Sequence, residues 1–258
     1  MMDELASAPR SEARHAAAAP AGAFTALLDV RGLTKRYGEQ AALDDVSFDI
    51  RAGEVLGLIG PNGAGKTTMF EVLAGVATAD AGEVSTRGQP LPQVRRAELL
   101  FYLPDAIRPY PEQPALRVLE FIAGVYARTP SDIADAAAAV GLDPVLAKRV
   151  SALSKGYSRR LMLALGLLTP HPLLLMDEPF DGLDLRQTAE VARLLRRIAG
   201  EGRTLMLAIH QLTDAARVCD RFVLLATGRV VAIGTLDELR TQCGRADGSL
   251  EEIFLALT

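Results

Sequence analysis

The chain has 258 residues, enough for one α/β domain with a full core or for two small domains. Hydrophobic residues make up 49% and the net charge is −4, a balance that offers no basic face for nucleic acid, so no nucleic-acid partner is expected. The two cysteines, Cys219 and Cys243, are widely spaced, match no metal pattern and read as incidental thiols in a reducing compartment.

Residues 1–24 are rich in Ala but interrupted by charges, and Asp3 and Glu4 open the chain. A secretory signal needs a basic start and a continuous apolar stretch, so this segment reads as a disordered or poorly ordered extension. The longest apolar run, Leu161–Leu168, stops before Pro170, far short of the ~20 residues that span a bilayer. The expected location is the cytoplasm, unless a partner holds the chain at a membrane.

From Leu27 the pattern becomes regular. Leu27–Val30 and Val46–Ile50 have strand character, separated by a turn-rich stretch around Tyr37-Gly38-Glu39. Val55–Ile59 is a short apolar run ending in Gly60, as suits a strand buried on both faces. Thr67–Ala74 is helical in composition and stops at Gly75. The prolines at 104, 109, 111 and 114 mark a loop. Helical patterns follow at Leu116–Arg128, at Ser131–Val140 and from about Ser158. Strands return at Leu173–Met176, Thr204–Ile209 and Phe222–Leu225, with a helix at Leu185–Ala199 between the first two. This alternation predicts a parallel sheet covered on both faces, with the helical middle as an insertion.

Two motifs carry chemistry without further comparison. Gly60-Pro61-Asn62-Gly63-Ala64-Gly65-Lys66-Thr67 fits G-x-x-x-x-G-K-[ST], between a buried strand and a helix. Its glycines let backbone N–H groups close around phosphates, and the helix starting there adds its positive dipole end. Lys66 is expected on the β- and γ-phosphates and the Thr67 hydroxyl on Mg²⁺, with Thr68 completing the loop. The second motif, Leu173–Met176 followed by Asp177-Glu178-Pro179, delivers two acids to a strand's carboxyl end, where α/β ligand sites lie. Asp177 suits Mg²⁺ through its outer coordination shell. Glu178 is placed to accept a proton from attacking water.

These motifs mark a P-loop NTPase, and a third set narrows the class. Leu153-Ser154-Lys155-Gly156-Tyr157 precedes the strand, Asp181-Gly182-Leu183-Asp184 follows it, and His210 follows the next strand. Alone, Ser-Lys-Gly would be a helix N-cap with a solvated Lys. In this order, the chain resembles the ATP-binding cassette family, whose signature reads Leu-Ser-Gly-Gly-Gln; Leu153, Ser154 and Gly156 match while Lys155 and Tyr157 depart. The resemblance implies a P-loop NTPase core with a mostly parallel sheet, an N-terminal antiparallel β subdomain and an inserted α-helical subdomain. The cassette would span 25–258, with the insertion at roughly 105–168.

The resemblance also implies roles. Ser154 and the Gly156 N–H would bind phosphate, His210 would contact the γ-phosphate and orient water, and Tyr37 would stack on adenine. Asp184 would communicate across a dimer in which each ATP lies between one subunit's phosphate loop and the other's signature. The chain holds one copy of each motif, so the partner would be itself or a homologous subunit. A separate membrane-spanning permease would complete a transporter. The signature variant and the carboxyl end look like the multidrug, antibiotic and sodium exporter type. A soluble cassette acting on ribosomes or DNA, or a low-turnover regulatory cassette, remain the alternatives. One departure stands out: the family places a Gln on Mg²⁺ after a Leu-Pro, and here Leu103-Pro104 is followed by Asp105. A carboxylate still suits the ion, but it adds negative charge beside a triphosphate.

Overall fold

The computed structural model describes residues 26–105, 107 and 109–258; the extension expected at 1–24 lies outside the described residues. β1 (Ala26–Tyr37) and β2 (Gln40–Arg51) form an antiparallel hairpin whose turn is at Gly38-Glu39, where Gly38 has φ 60°. Both strands run well beyond the apolar segments visible in sequence, because antiparallel pairing carries their polar ends as far as the turn. β3 (Val55–Ile59) is buried throughout, and α1 (Lys66–Leu73) follows the phosphate loop. β4 (Ala81–Thr86) and the short β5 (Gln89–Pro90) complete an antiparallel sheet of order β2-β1-β4-β5.

α2 (Arg96–Leu99) leads into β6 (Leu100–Leu103). The helical segment then holds α3 (Ala115–Val125), α4 (Pro130–Val140) and α5 (Lys155–Leu168). α5 begins earlier than its apolar pattern suggests, because Ser154 caps it by accepting a hydrogen bond from Tyr157 N at 3.3 Å. β7 (Leu173–Asp177), α6 (Leu185–Gly200), β8 (Thr204–Ile209), α7 (Leu212–Val218) and β9 (Arg221–Ala226) restore the alternation. β10 (Arg229–Gly234), α8 (Leu236–Cys243) and α9 (Leu250–Leu257) close the chain.

The second sheet has the order β10-β9-β3-β8-β7-β6, parallel except for β10. Its strands read as continuous apolar runs because both faces are covered. The period of two still sorts them. Val55, Ile59, Leu174, Met176, Leu205, Leu207, Phe222 and Leu224 pack against the helices. Leu56, Leu58, Leu173, Leu175, Met206, Ala208, Val223 and Leu225 pack against α1 and the antiparallel sheet. The sheet is thus the middle layer between two cores. The mostly parallel core, the antiparallel N-terminal sheet and the helical segment agree with the expected fold class.

α5 is anchored at its carboxyl end by two arginines. Arg203 donates to the carbonyls of Gly166, Leu167, Thr169 and His171 and to Thr169 Oγ1, and Arg128 Nε donates to Leu168 O at 2.9 Å. These guanidiniums satisfy helix-end acceptors and meet the negative end of the dipole. Burial pushes the Arg203 pKa down to about 10, still high enough to keep the charge at neutral pH. Arg203→Met is expected to lower stability by about 2 kcal/mol in denaturant unfolding, since it strands several acceptors at once. A loss below ~0.5 kcal/mol would show that the cap contributes little.

Candidate functional site

The site forms where three neighbouring parallel strands end together. Leu58 pairs with Ala208, Ala208 with Asp177, and Ile59 with Ile209, so Gly60, Glu178 and His210 leave the sheet at one edge. Two loop positions require glycine. A Cβ on Gly60 would lie 2.4 Å from Leu225 O; one on Gly65, at φ 106°, would lie 2.4 Å from Ala42 O. The loop therefore wraps closely on β9 and β2, and its shape is imposed by packing as much as by local freedom. Ala64 is buried beneath it, its carbonyl accepting from Gly228 N at 3.0 Å.

Lys66 is 7% exposed and curls back on the loop, with Nζ donating to Gly60 O at 2.7 Å and Pro61 O at 3.2 Å. Burial pulls its pKa down, while Glu178 and Asp177 oppose the shift. Thr67 Oγ1 donates to Asp177 Oδ2 at 2.9 Å, joining the start of α1 to the end of β7. Asp177 is buried, and that burial raises its pKa despite the Thr67 hydrogen bond. Glu178 occupies the left-handed region at φ 51°, unusual for a residue with a side chain, and its N–H donates to Ala208 O at 2.9 Å. Its Oε2 lies 2.6 Å from His210 Nδ1. Burial raises the Glu178 pKa, with His210 opposing. A carboxylate so poised is a better proton acceptor than an exposed one.

A cavity of about 1080 Å³ collects Tyr37, Pro61, Asn62, Gly63, Gly65, Lys66, Thr67 and Thr68 with Asp105, Asp177 and Glu178. Tyr37, at the end of β1, is 54% exposed, and Lys35 Nζ sits 5.3 Å from its ring centre. Such an open ring is free to stack on a flat heterocycle. Ser154 and Gly156 do not join this cavity. They line a separate pocket of about 450 Å³ with Lys155, Tyr157, Gly182 and Asp184, and no described residue lines both. There Lys155 Nζ meets Asp181 Oδ2 at 2.5 Å, and Asp184 caps α6 by accepting from Gln187 N at 2.8 Å.

Among the described residues, no group of three or more acidic, His or Cys side chains is arranged to hold a metal. The donors beside the loop are oxygens, the Thr67 hydroxyl and the Asp177 carboxylate. Near them the buried Tyr102 hydroxyl has no hydrogen-bond partner. That set fits a hard cation that keeps water and takes its remaining ligands from phosphate.

Two residues escaped a functional reading in the sequence. Arg159 belongs to no recognised motif, yet it reaches Asp105 Oδ1 and Asp177 O. Tyr102 had no signal, since it reads as an ordinary strand residue. His171 is structural: its Nε2 lies 2.9 Å from Ala97 O and its ring stacks on Phe101.

Residues 43–181 match the family described as ABC transporter. Hemin import ATP-binding protein HmuV of Thermobifida fusca is 35% identical over 226 residues, covering 84% of this chain and 80% of that protein. Nod factor export ATP-binding protein I of Ralstonia nicotianae is 34% identical, covering 84% of this chain and 70% of its own. The probable multidrug ABC transporter ATP-binding protein YbhF of Escherichia coli is 31% identical over 90% of this chain, which spans 41% of that protein. A solved ATP-binding subunit of an ABC transporter superposes with TM-score 0.81 at 32% identity, covering 90% of this chain and 99% of the other. ATP hydrolysis is the general function of such cassettes, and in transporters they work with membrane permease subunits. This chain belongs to the ABC transporter family, as an ATP-binding subunit.

Proposed function

We propose that the chain hydrolyses ATP in a dimer of cassettes and thereby drives export through a separate permease. The observation that carries this reading is the separation of the two half-sites. The phosphate loop and Glu178 share one cavity, while Ser154 and Gly156 line another in the same chain. A second subunit, another copy of this chain or a homologue, completes each site by presenting its signature to the first subunit's phosphate loop. ATP is attractive to both faces and closes the pair; hydrolysis removes that bridge.

Within each site, backbone N–H groups of residues 60–67 and the start of α1 hold the phosphates. Lys66 leaves its carbonyl partners for the β- and γ-phosphates. Tyr37 stacks on the base. Thr67 directly, and Asp177 through water, would hold Mg²⁺, which neutralises phosphate charge, with Asp105 at the edge of the same cavity. Glu178 accepts a proton as the water oxygen bonds to the γ-phosphorus and the bond to the β–γ bridging oxygen breaks. The Glu178–His210 pair fixes the carboxylate, and His210 faces the γ-phosphate side.

No helix among the described residues is long and apolar enough to cross a membrane. We place the chain on the cytoplasmic face, held by its permease. Ile107, Tyr110, Phe121 and Val125 are each more than half exposed, and the rings of Tyr110 and Phe121 meet at 5.4 Å. Exposed apolar side chains of this size support a protein contact here, close to Asp105. Export is supported by the Ser-Lys-Gly-Tyr signature and by relatives named for Nod factor export and multidrug transport. The hemin import relative favours the opposite direction.

Lys66→Ala is expected to weaken ATP binding roughly a hundredfold in calorimetry, through loss of a charge-assisted phosphate contact. Retained affinity would count against the loop assignment. Direction is testable in inside-out vesicles holding the chain and its permease. With ATP added outside, net solute movement into the lumen supports export, and Phe121→Asp should slow it; movement outward would support import.

A further inference from the structure

Arg159 presents an unusual arrangement for a cation. It lies on α5, within two turns of the Ser154 cap, and is only 7% exposed. Its guanidinium donates to Asp105 Oδ1 and, at 3.2 Å, to the main-chain carbonyl of Asp177. Asp177 in turn receives the Thr67 hydroxyl. One side chain thus ties the signature helix to the loop after β6 and to the strand end that bears the ion-binding acid.

A cation this buried is strongly unfavourable without a counter-charge. Asp105 supplies it, with its own side chain 42% exposed toward the cavity. The same pairing solves a second problem. An unneutralised carboxylate beside a triphosphate would repel it, whereas a carboxylate held by a guanidinium adds no net charge.

We propose that Asp105 is the counter-ion of Arg159 and not a ligand of the metal, and that Arg159 is a positioning residue which balances charge beside the Mg²⁺–phosphate site while fixing the start of the signature helix to it. This rests on the nucleotide assignment above. Asp177 and Asp181 also act on Arg159 electrostatically, but Asp105 is the carboxylate its guanidinium bonds directly.

The test is a double-mutant cycle on the full chain, following binding of a fluorescent N-methylanthraniloyl ATP as Mg²⁺ is titrated. Asp105→Asn leaves the buried guanidinium unbalanced and should raise the half-saturating Mg²⁺ concentration roughly tenfold. Arg159→Gln leaves the carboxylate unbalanced and should lower it by a similar factor. The double variant should return to within about twofold of the unaltered chain. Loss of packing alone would not produce shifts of opposite sign. If Asp105 instead ligates the ion, removing Arg159 cannot replace the lost ligand, so the double variant stays roughly tenfold above the unaltered chain, and the proposal falls. Should Asp105→Asn or Arg159→Gln fail to fold, Arg159→Lys, which keeps the charge, must preserve the original half-saturation; a roughly tenfold shift there also overturns it. Failure of the unaltered chain to bind the analogue would overturn the nucleotide assignment itself, a different outcome from binding in which the double variant stays displaced from the unaltered value.

Discussion

The parallel pairing of β3, β8 and β7 is the constraint on which the rest of the molecule depends. Because the register sets Ile59 beside Ile209 and Ala208 beside Asp177, three loops leave the sheet together, bringing the phosphate loop, Glu178 and His210 to one edge. The same strands can be paired this way only if both faces are apolar. Leu56 and Leu58 then bind the antiparallel layer while Val55 and Ile59 bind the helices. Core formation and site formation are therefore one event, since a register slip would scatter the acids and expose alternate leucines together.

The phosphate loop is held from outside as well as by its own turns. Gly60 and Gly65 fit because the carbonyls of Leu225 and Ala42 leave no room for a Cβ, so β9 and β2 shape the cradle. Glu178 pays a backbone penalty at φ 51°, offset by its N–H bond to Ala208 and its side-chain contact with His210. The signature helix is fixed at both ends, by Arg203 and Arg128 at the carboxyl terminus and by Arg159 near the amino terminus. These contacts tie both ends of the helix to the elements around it.

Much of this was legible in the sequence because it depended on local order. Gly60 to Thr67 between an apolar run and a helix, and two acids after Leu173–Met176, each need only neighbouring residues to be recognised. Buried strands β7, β8 and β9 showed as continuous apolar runs. β4, β5 and β6 did not, since they are short or half-polar and take their strand character from partners distant in the chain. α5 started earlier than its apolar pattern, a displacement set by the Ser154 cap. The pairing of Asp105 with Arg159 was invisible for the same reason: it crosses from one loop to a helix far along the chain, and only the fold brings them together. Sequence could flag Asp105 as a departure, but not name its partner.

The account's central claim is that each chain carries two incomplete sites that finish one another across a subunit interface. Its most direct measurement is sedimentation of Glu178→Gln with saturating ATP and Mg²⁺. Loss of the proton acceptor should halt hydrolysis with nucleotide in place, so the account predicts a stable dimer that reverts to monomer when ATP is withdrawn. A protein that binds ATP yet sediments as a monomer would contradict it.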